Sequence, residues 1–200
     1  MVFKKLIFTT AILAIALSAS AVADKTKNPS APSSPIHPPS PVYHVDLAVL
    51  LNVAGPFQTF LNYLQKTNVI ETFQSQANNT KAGGITILVP RDSAFAALKK
   101  KKKRTLGRLS KRGQLKSLLL YHAFRKFYSL GEFSKLSRRN PVATFAGSRY
   151  TLNVTNDIGT IWVKSAWSNA KIGSTVYATA PVAVYEVDKV LLPKQIFRSE

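Results

Sequence analysis

Cysteine is absent from this chain of 200 residues, histidine occurs three times, and only nine side chains are acidic. The first absence removes thiol nucleophiles, zinc–thiolate sites, redox chemistry and disulfide cross-links, so the fold rests on its hydrophobic core alone. The shortage of carboxylates bears on hydrolysis. A glycosidase needs two carboxylates flanking one bond, and acids are few here. No His-Glu-x-x-His run occurs and no two histidines have metal-ligand spacing. There is no Gly-x-Ser-x-Gly elbow, and Gly83-Gly84 reads as a turn into a strand rather than a phosphate cradle. These absences point to a non-enzymatic chain with no cofactor and no metal.

Basic residues are in surplus: 28 Lys and Arg give a net charge of +19. Lys4 and Lys5 precede an apolar run from Leu6 to Leu17, and Ala21-Val22-Ala23 supplies small residues for cleavage. Residues 1–23 therefore read as a signal peptide, the competing reading being an uncleaved anchor. Cleavage before Asp24 leaves a charge of +17. No other apolar stretch approaches membrane length, so the mature chain is expected to be secreted without a membrane span. The hydrophilic end, Lys194 to Glu200, has no apolar tail to direct lipid attachment, and an unanchored product is expected. Residues 24–44 form a linker. Pro29, Pro32, Pro35, Pro38, Pro39 and Pro41 stand among Ser, Ala and Lys, a composition that favours extended polyproline II and builds no core. About 150 residues remain, which suits one domain.

Within that domain Pro56 opens a helical pattern, with Phe57, Phe60, Leu61 and Leu64 at i, i+3, i+4 and i+7. Val69, Ile70 and Phe73 continue it after a break near Thr67-Asn68. Asn78 to Gly84 reads as a polar loop leading into a short buried strand, Ile85 to Val89. Asp92 stands where the N-cap of the next helix would stand, with Phe95 and Leu98 on its core face. Leu115, Leu118 and Leu119 mark a further helix ending near His122, a lone histidine read as a hydrogen-bonded structural residue. From Pro141 the pattern becomes strands. Tyr150, Leu152 and Val154 alternate, Asn156-Asp157-Ile158-Gly159 turns, and Ile161 and Val163 return. Short strands also fit Val176 to Ala178 and Val182 to Val187. Helices first and strands afterwards argue for an α+β fold, and no internal repeat is present.

Three segments carry a resemblance. Ile85 to Val89 followed by Pro90-Arg91-Asp92-Ser93-Ala94-Phe95 resembles the first signature motif of the fasciclin domain. Leu118 to Phe124, containing Tyr121-His122, is similar to its central Tyr-His motif, and Val184-Tyr185-Glu186-Val187-Asp188-Lys189-Val190-Leu191-Leu192-Pro193 to its closing motif. They stand in the order and spacing of that domain, and with the signal peptide and the Pro-rich segment the chain resembles the plant branch, the fasciclin-like arabinogalactan proteins, over residues 45–197. Arg91 departs from the pattern, replacing a small polar residue usual before the motif aspartate, as does a lysine run at 99–103. The resemblance implies helices packed on a mostly antiparallel β-wedge. It also implies a secreted adhesion or matrix glycoprotein of the cell wall, apoplast or outer cell surface. In the family, dipeptides such as Ala31-Pro32, Ser34-Pro35 and Ser40-Pro41 are hydroxylated and carry arabinogalactan, which marks Pro32, Pro35 and Pro41. A plain spacer is the competing reading.

Two N-glycosylation sequons are present, Asn78-Asn79-Thr80 and Asn153-Val154-Thr155. The first falls in the expected loop, the second at the end of a strand before a turn. The run Lys99, Lys100, Lys101, Lys102, Lys103 and Arg104, extended by Lys111 and Arg112, reads as a polyanion-binding loop, or simply as a solvated one. Expected partners are cell-wall polysaccharide or other extracellular glycoproteins. Two readings stay open: an adhesion glycoprotein, and a module that captures acidic polysaccharide such as pectin through the basic loop. Nucleic acid is disfavoured, because the signal peptide routes the chain outside the cell and aromatics are not interleaved with the cations.

Overall fold

The computed structural model describes residues 44–101 and 111–197. The chain separates into one unit over Met1–Pro41 and another over Val42–Glu200, and every described residue lies in the second. The expectations for the signal peptide, for Pro32, Pro35 and Pro41, and for Lys102, Lys103 and Arg104 lie outside the described residues.

Helix α1 (Leu47–Val53) is not among the expected elements. It forms because the Asp46 carboxylate accepts the amides of Ala48 and Val49 at 2.9 and 3.0 Å, while Leu47 and Leu51 bury one face. Helices α2 (Gln58–Lys66) and α3 (Val69–Asn78) follow the expected stripe. Phe57, Phe60, Leu61, Leu64, Val69, Ile70 and Phe73 are all buried. The break falls where expected. The Thr67 hydroxyl donates to the Tyr63 carbonyl at 2.7 Å, and Asn68 takes a left-handed φ of 58° that ends one helix before the next begins. Asn78 departs from its expected place: it is the last residue of α3, because Ala77 still has core to bury.

Gly84 then brings the chain against the turn before the last strand, where any Cβ would lie 2.2 Å from the Pro181 carbonyl oxygen. Strand β1 (Ile85–Pro90) is buried along its whole length. Helix α4 (Asp92–Lys101) carries Phe95 into the core. It continues through Lys99, Lys100 and Lys101, which the sequence placed in a loop. Lysine is a good helix former, and cations are favoured at a helix C-terminus. Helix α5 (Arg112–Tyr121) buries Leu115, Leu118 and Leu119 and leads into β2 (Ala123–Phe124).

Helix α6 (Leu130–Leu136) is also unanticipated, although its signal is local: the amide and hydroxyl of Ser129 donate to the Glu132 carboxylate at 2.7 and 2.9 Å. Strands β3 (Val142–Thr144), β4 (Gly147–Asp157), β5 (Thr160–Lys164), β6 (Asn169–Thr179) and β7 (Val182–Val187) follow. The β4–β5 turn falls at the expected place, with positive φ at Ile158 and Gly159 and Asp157 paired to Thr160. Strand β6 is much longer than the Val176–Ala178 segment expected. Register shifts between Ile172 and Tyr177 interrupt its alternation, and so does the side-chainless Gly173.

The seven strands form one sheet in the order β2-β1-β7-β6-β5-β4-β3, parallel between β1 and β7 and antiparallel elsewhere. This is the expected α+β architecture. Strands β1 and β7 are buried on both faces. Ile85, Ile87, Val89, Val182 and Val184 face the cluster built by α1 to α5. Leu88, Ala183, Tyr185 and Val187 face a second cluster with Phe124, Phe133, Leu152, Val154 and Val163. The alternation explains why both strands read as nearly continuous apolar runs.

Asp92 acts on a helix other than its own. It is the first residue of α4, but its carboxylate accepts the amides of Gln58 at 3.3 Å and Thr59 at 2.6 Å, while its own amide donates to the Pro56 carbonyl at 2.8 Å. The residue in the N-cap place of α2 is Phe57, which has no side-chain oxygen to offer. Asp92 thus caps α2 across 33 residues of sequence and complements its dipole. Asp92→Ala is expected to lower stability by about 1–2 kcal/mol, read as a lower urea midpoint with an unchanged slope, and Asp92→Asn, which keeps one acceptor oxygen, by less. A midpoint equal to that of the parent protein in both variants would refute the capping role.

Candidate functional site

The expected structural role of His122 has a definite geometry. Its ring is buried, 1% exposed, and lies between the end of α5 and the segment after β7. Nδ1 lies 2.8 Å from the Leu118 carbonyl oxygen and so carries the proton, which leaves Nε2 to accept the Leu191 amide at 2.9 Å. The His122 carbonyl accepts the Leu88 amide at 2.8 Å. Burial in apolar surroundings pushes the imidazole pKa down to about 4, against a partial upward pull from the Leu118 carbonyl. Beside it the Tyr121 hydroxyl donates to the Thr151 carbonyl at 2.8 Å. The Tyr121 hydroxyl and His122 Nε2 each bond the backbone of a distant segment, while Nδ1 bonds the helix that carries the ring, so the pair holds the fold.

The two sequons sit in different settings. Asn78 is exposed at the end of α3, with its side-chain oxygen accepting from Gln74 at 2.8 Å. Asn153 is exposed on β4, paired in register with Lys164 of β5. The Thr155 hydroxyl of its sequon is buried without a partner among the described residues.

Lys111 and Arg112 are exposed where the chain enters α5. Among the described residues one ion pair is formed, between the Arg91 guanidinium and the Glu186 carboxylate. Glu186 lies in β7 and is largely buried, and its hydrogen bond and charge hold the Arg91 proton more firmly than usual. The departure at Arg91 is thereby matched by an acid in the closing motif.

Sequence reasoning does not single out Arg149, Lys164 and Lys194. These three cations line one cleft of about 530 Å³ together with Asn153 and Thr151. Arg149, Thr151 and Asn153 alternate on one face of β4, a period-2 signal that was available. Lys194 reaches them only through the fold, its neighbour Gln195 donating a side-chain hydrogen bond to the Arg149 carbonyl. Among the described residues no group of acids and histidines is placed to hold a metal ion, and no helix is long and apolar enough to cross a membrane.

The fasciclin domain matches residues 55–193 of this chain. The chain is 53% identical over 157 residues to fasciclin-like arabinogalactan protein 7 of Arabidopsis thaliana, an alignment covering 78% of the chain and 60% of that protein. It is 36% identical over 168 residues to fasciclin-like arabinogalactan protein 12 of the same plant, covering 82% and 65%. The chain thus spans less than two thirds of the length of these curated relatives. Among solved structures, it resembles the FAS1 domain pair of the insect cell adhesion molecule fasciclin I, with a TM-score of 0.52 and 17% identity over 68% of this chain and 45% of that one. That likeness is one of fold alone.

The His122 site makes stability depend on pH with a definite sign. Its folded pKa, about 4, lies below the ordinary 6.5. Between those values the unfolded chain binds a proton that the folded chain refuses. The stabilisation present above pH 6.5 is therefore lost as the pH falls toward 4, to an extent of about 3 kcal/mol. The urea midpoint is expected to drop across that window. In His122→Phe, which leaves the Leu191 amide without its acceptor, the midpoint at pH 7 is lower and the fall between pH 6.5 and 4 shallower. Equal slopes in the two proteins would remove His122 as their source.

Proposed function

This chain belongs to the fasciclin domain family, and we propose that it works outside the cell as a non-enzymatic adhesion or matrix glycoprotein, held electrostatically to acidic polysaccharide. The observation that carries this reading is the unbalanced charge: a net +19, with a single ion pair among the described residues. A surface with so few carboxylates attracts polyanions over roughly a Debye length, about 8 Å at physiological ionic strength. The run Lys99 to Arg104, with Lys111 and Arg112, concentrates that charge, and cell-wall pectin is a polyanion of the required kind. The names of the Arabidopsis relatives support an arabinogalactan setting. In this reading residues 1–23 direct secretion, residues 24–44 bear arabinogalactan at Pro32, Pro35 and Pro41, residues 45–197 form the fasciclin domain, Asn78 carries an N-glycan, and Asn153 is a second acceptor site occupied on only part of the molecules.

Two experiments test the reading. Replacing Lys99 to Lys103 by alanine is expected to leave the unfolding free energy, read by urea titration, within about 0.5 kcal/mol of the parent, as for ordinary surface positions. Elution from immobilised de-esterified pectin should move to clearly lower salt, and equal elution would confine the run to a solvated role. Mass mapping of the extracted protein is expected to find hydroxyproline glycans between Asp24 and Pro41 and an N-glycan at Asn78. An unmodified Asp24–Pro41 peptide would remove the arabinogalactan assignment.

A further inference from the structure

We propose that the cleft between β4, β5 and the turn at Lys194-Gln195 is a binding site for a short oligosaccharide bearing carboxylates. Arg149, Lys164 and Lys194 line it, and among the described residues no acidic one does. All three are exposed, and none forms an ion pair or a side-chain hydrogen bond with a described residue. Their charge therefore faces the cleft without an internal counter-ion.

The arrangement is ordered along the strands. Arg149, Thr151 and Asn153 follow one another at every second position of β4 and share a face, and the register sets Lys164 directly across from Asn153. Arg149 and the Asn153–Lys164 pair are thus about 14 Å apart along the strand. That span asks for several linked units rather than a single small anion. Between the cations stand the Thr151 hydroxyl and the Asn153 carboxamide, neither of which is hydrogen-bonded to a described side chain or backbone group. These neutral groups can donate to and accept from hydroxyls, while the cations take carboxylates.

The walls are tied down before any ligand arrives. The Tyr121 hydroxyl holds the Thr151 carbonyl at 2.8 Å, Gln195 holds the Arg149 carbonyl, and the Ser165 hydroxyl accepts the Leu192 amide at 3.2 Å. A cleft fixed in this way loses little ordering entropy on binding. A nucleic-acid strand fits less well, since it needs exposed aromatic faces for stacking. Tyr121, the aromatic residue lining this cleft, is 2% exposed and its hydroxyl is already engaged.

Asn153 gives the site a second property. A glycan attached to its side chain would occupy the cleft, so glycosylation there and ligand binding exclude each other. Thr155→Val separates the two, because it abolishes the sequon but leaves the Asn153 side chain in place. The hydroxyl it removes is buried and unpartnered, so the fold loses no hydrogen bond.

The site is distinct from Lys99 to Arg104 and stands or falls apart from it. The test is calorimetric titration of the full secreted chain carrying Thr155→Val with de-esterified oligogalacturonate, and with its fully methyl-esterified form. Binding is expected for the first and not for the second. Changing Arg149, Lys164 and Lys194 together to Gln is expected to raise the Kd roughly tenfold or more, as for loss of charge-assisted hydrogen bonds. The Arg149→Lys, Lys164→Arg, Lys194→Arg variant should keep binding. Alanine at Lys99 to Lys103 should weaken binding less than the Gln variant, although it removes more charge. Amide shifts of the Thr155→Val protein on titration should centre on Thr151, Asn153 and Lys164, a readout that needs no cleft variant to fold. The proposal is overturned by an unchanged Kd in the Gln variant, by shifts centred elsewhere, or by a single-stranded oligonucleotide of equal charge competing as well as the uronate. It is also overturned if protein shown by mass to carry a glycan on Asn153 binds as tightly as the Thr155→Val form.

Discussion

A buried imidazole with both nitrogens committed to backbone groups is the joint from which the rest of this domain is organised. His122 ends α5, and its ring joins Leu118 to Leu191 while its carbonyl meets Leu88 of β1. Leu118 lies one turn back in the same helix and fixes the ring, whereas Leu191 and Leu88 belong to distant stretches, so the residue ties α5 to two other segments at once. An unpaired amide in this interior would lose about 1–3 kcal/mol, comparable to a sizeable fraction of a domain's net stability. The parallel pairing of β1 with β7, the only parallel one among the described strands, is locked at this place.

The same logic runs outward from the joint. Arg91 follows β1, and its amide donates to the Val187 carbonyl of β7 while its guanidinium reaches Glu186. Asp92 then turns to the N-terminus of α2. Two consecutive residues therefore fasten the last strand and the second helix to the first strand. The three sequence motifs that carry the family resemblance are, in physical terms, the two buried strands and the histidine between them. Their residue types are set by packing and by backbone hydrogen bonds, which is why they say nothing about a ligand. Function has to be sought on surfaces that these motifs support and do not include.

How much was legible follows from the range of each interaction. Phe57, Phe60, Leu61 and Leu64 announce α2 because their spacing is a local property of one helix. Val182 to Val187 and Ile85 to Val89 are visible as short apolar runs, and Ile158-Gly159 as a turn. Helices α1 and α6 escape notice at seven residues each, since two buried positions apiece make a weak period, even though Asp46 and the Ser129–Glu132 pair are local signals. Asp92 is read correctly as a capping residue and assigned to the wrong helix. Its chemistry is local, but its partner lies 33 residues upstream. The cleft shows the same division. Asn153 is flagged by its sequon and Arg149 shares its strand face, while Lys194 joins them through a contact 46 residues long, between Gln195 and Arg149.

Charge completes the picture. Folding a strongly basic chain sets cations against one another, and screening by salt removes only part of that repulsion. The described structure answers by placing one carboxylate, Glu186, where a guanidinium must sit against the buried strands, and by leaving Arg149, Lys164 and Lys194 exposed to solvent. In the β4–β5 cleft they line one concave space with no acid among its described residues. Spaced along the strands by more than a Debye length, Arg149 and Lys164 repel one another little, and each stays free to meet an anionic group. Carboxylates such as Glu186 and Asp92 serve the buried strands and helix ends, and the cations of the cleft are left to solvent.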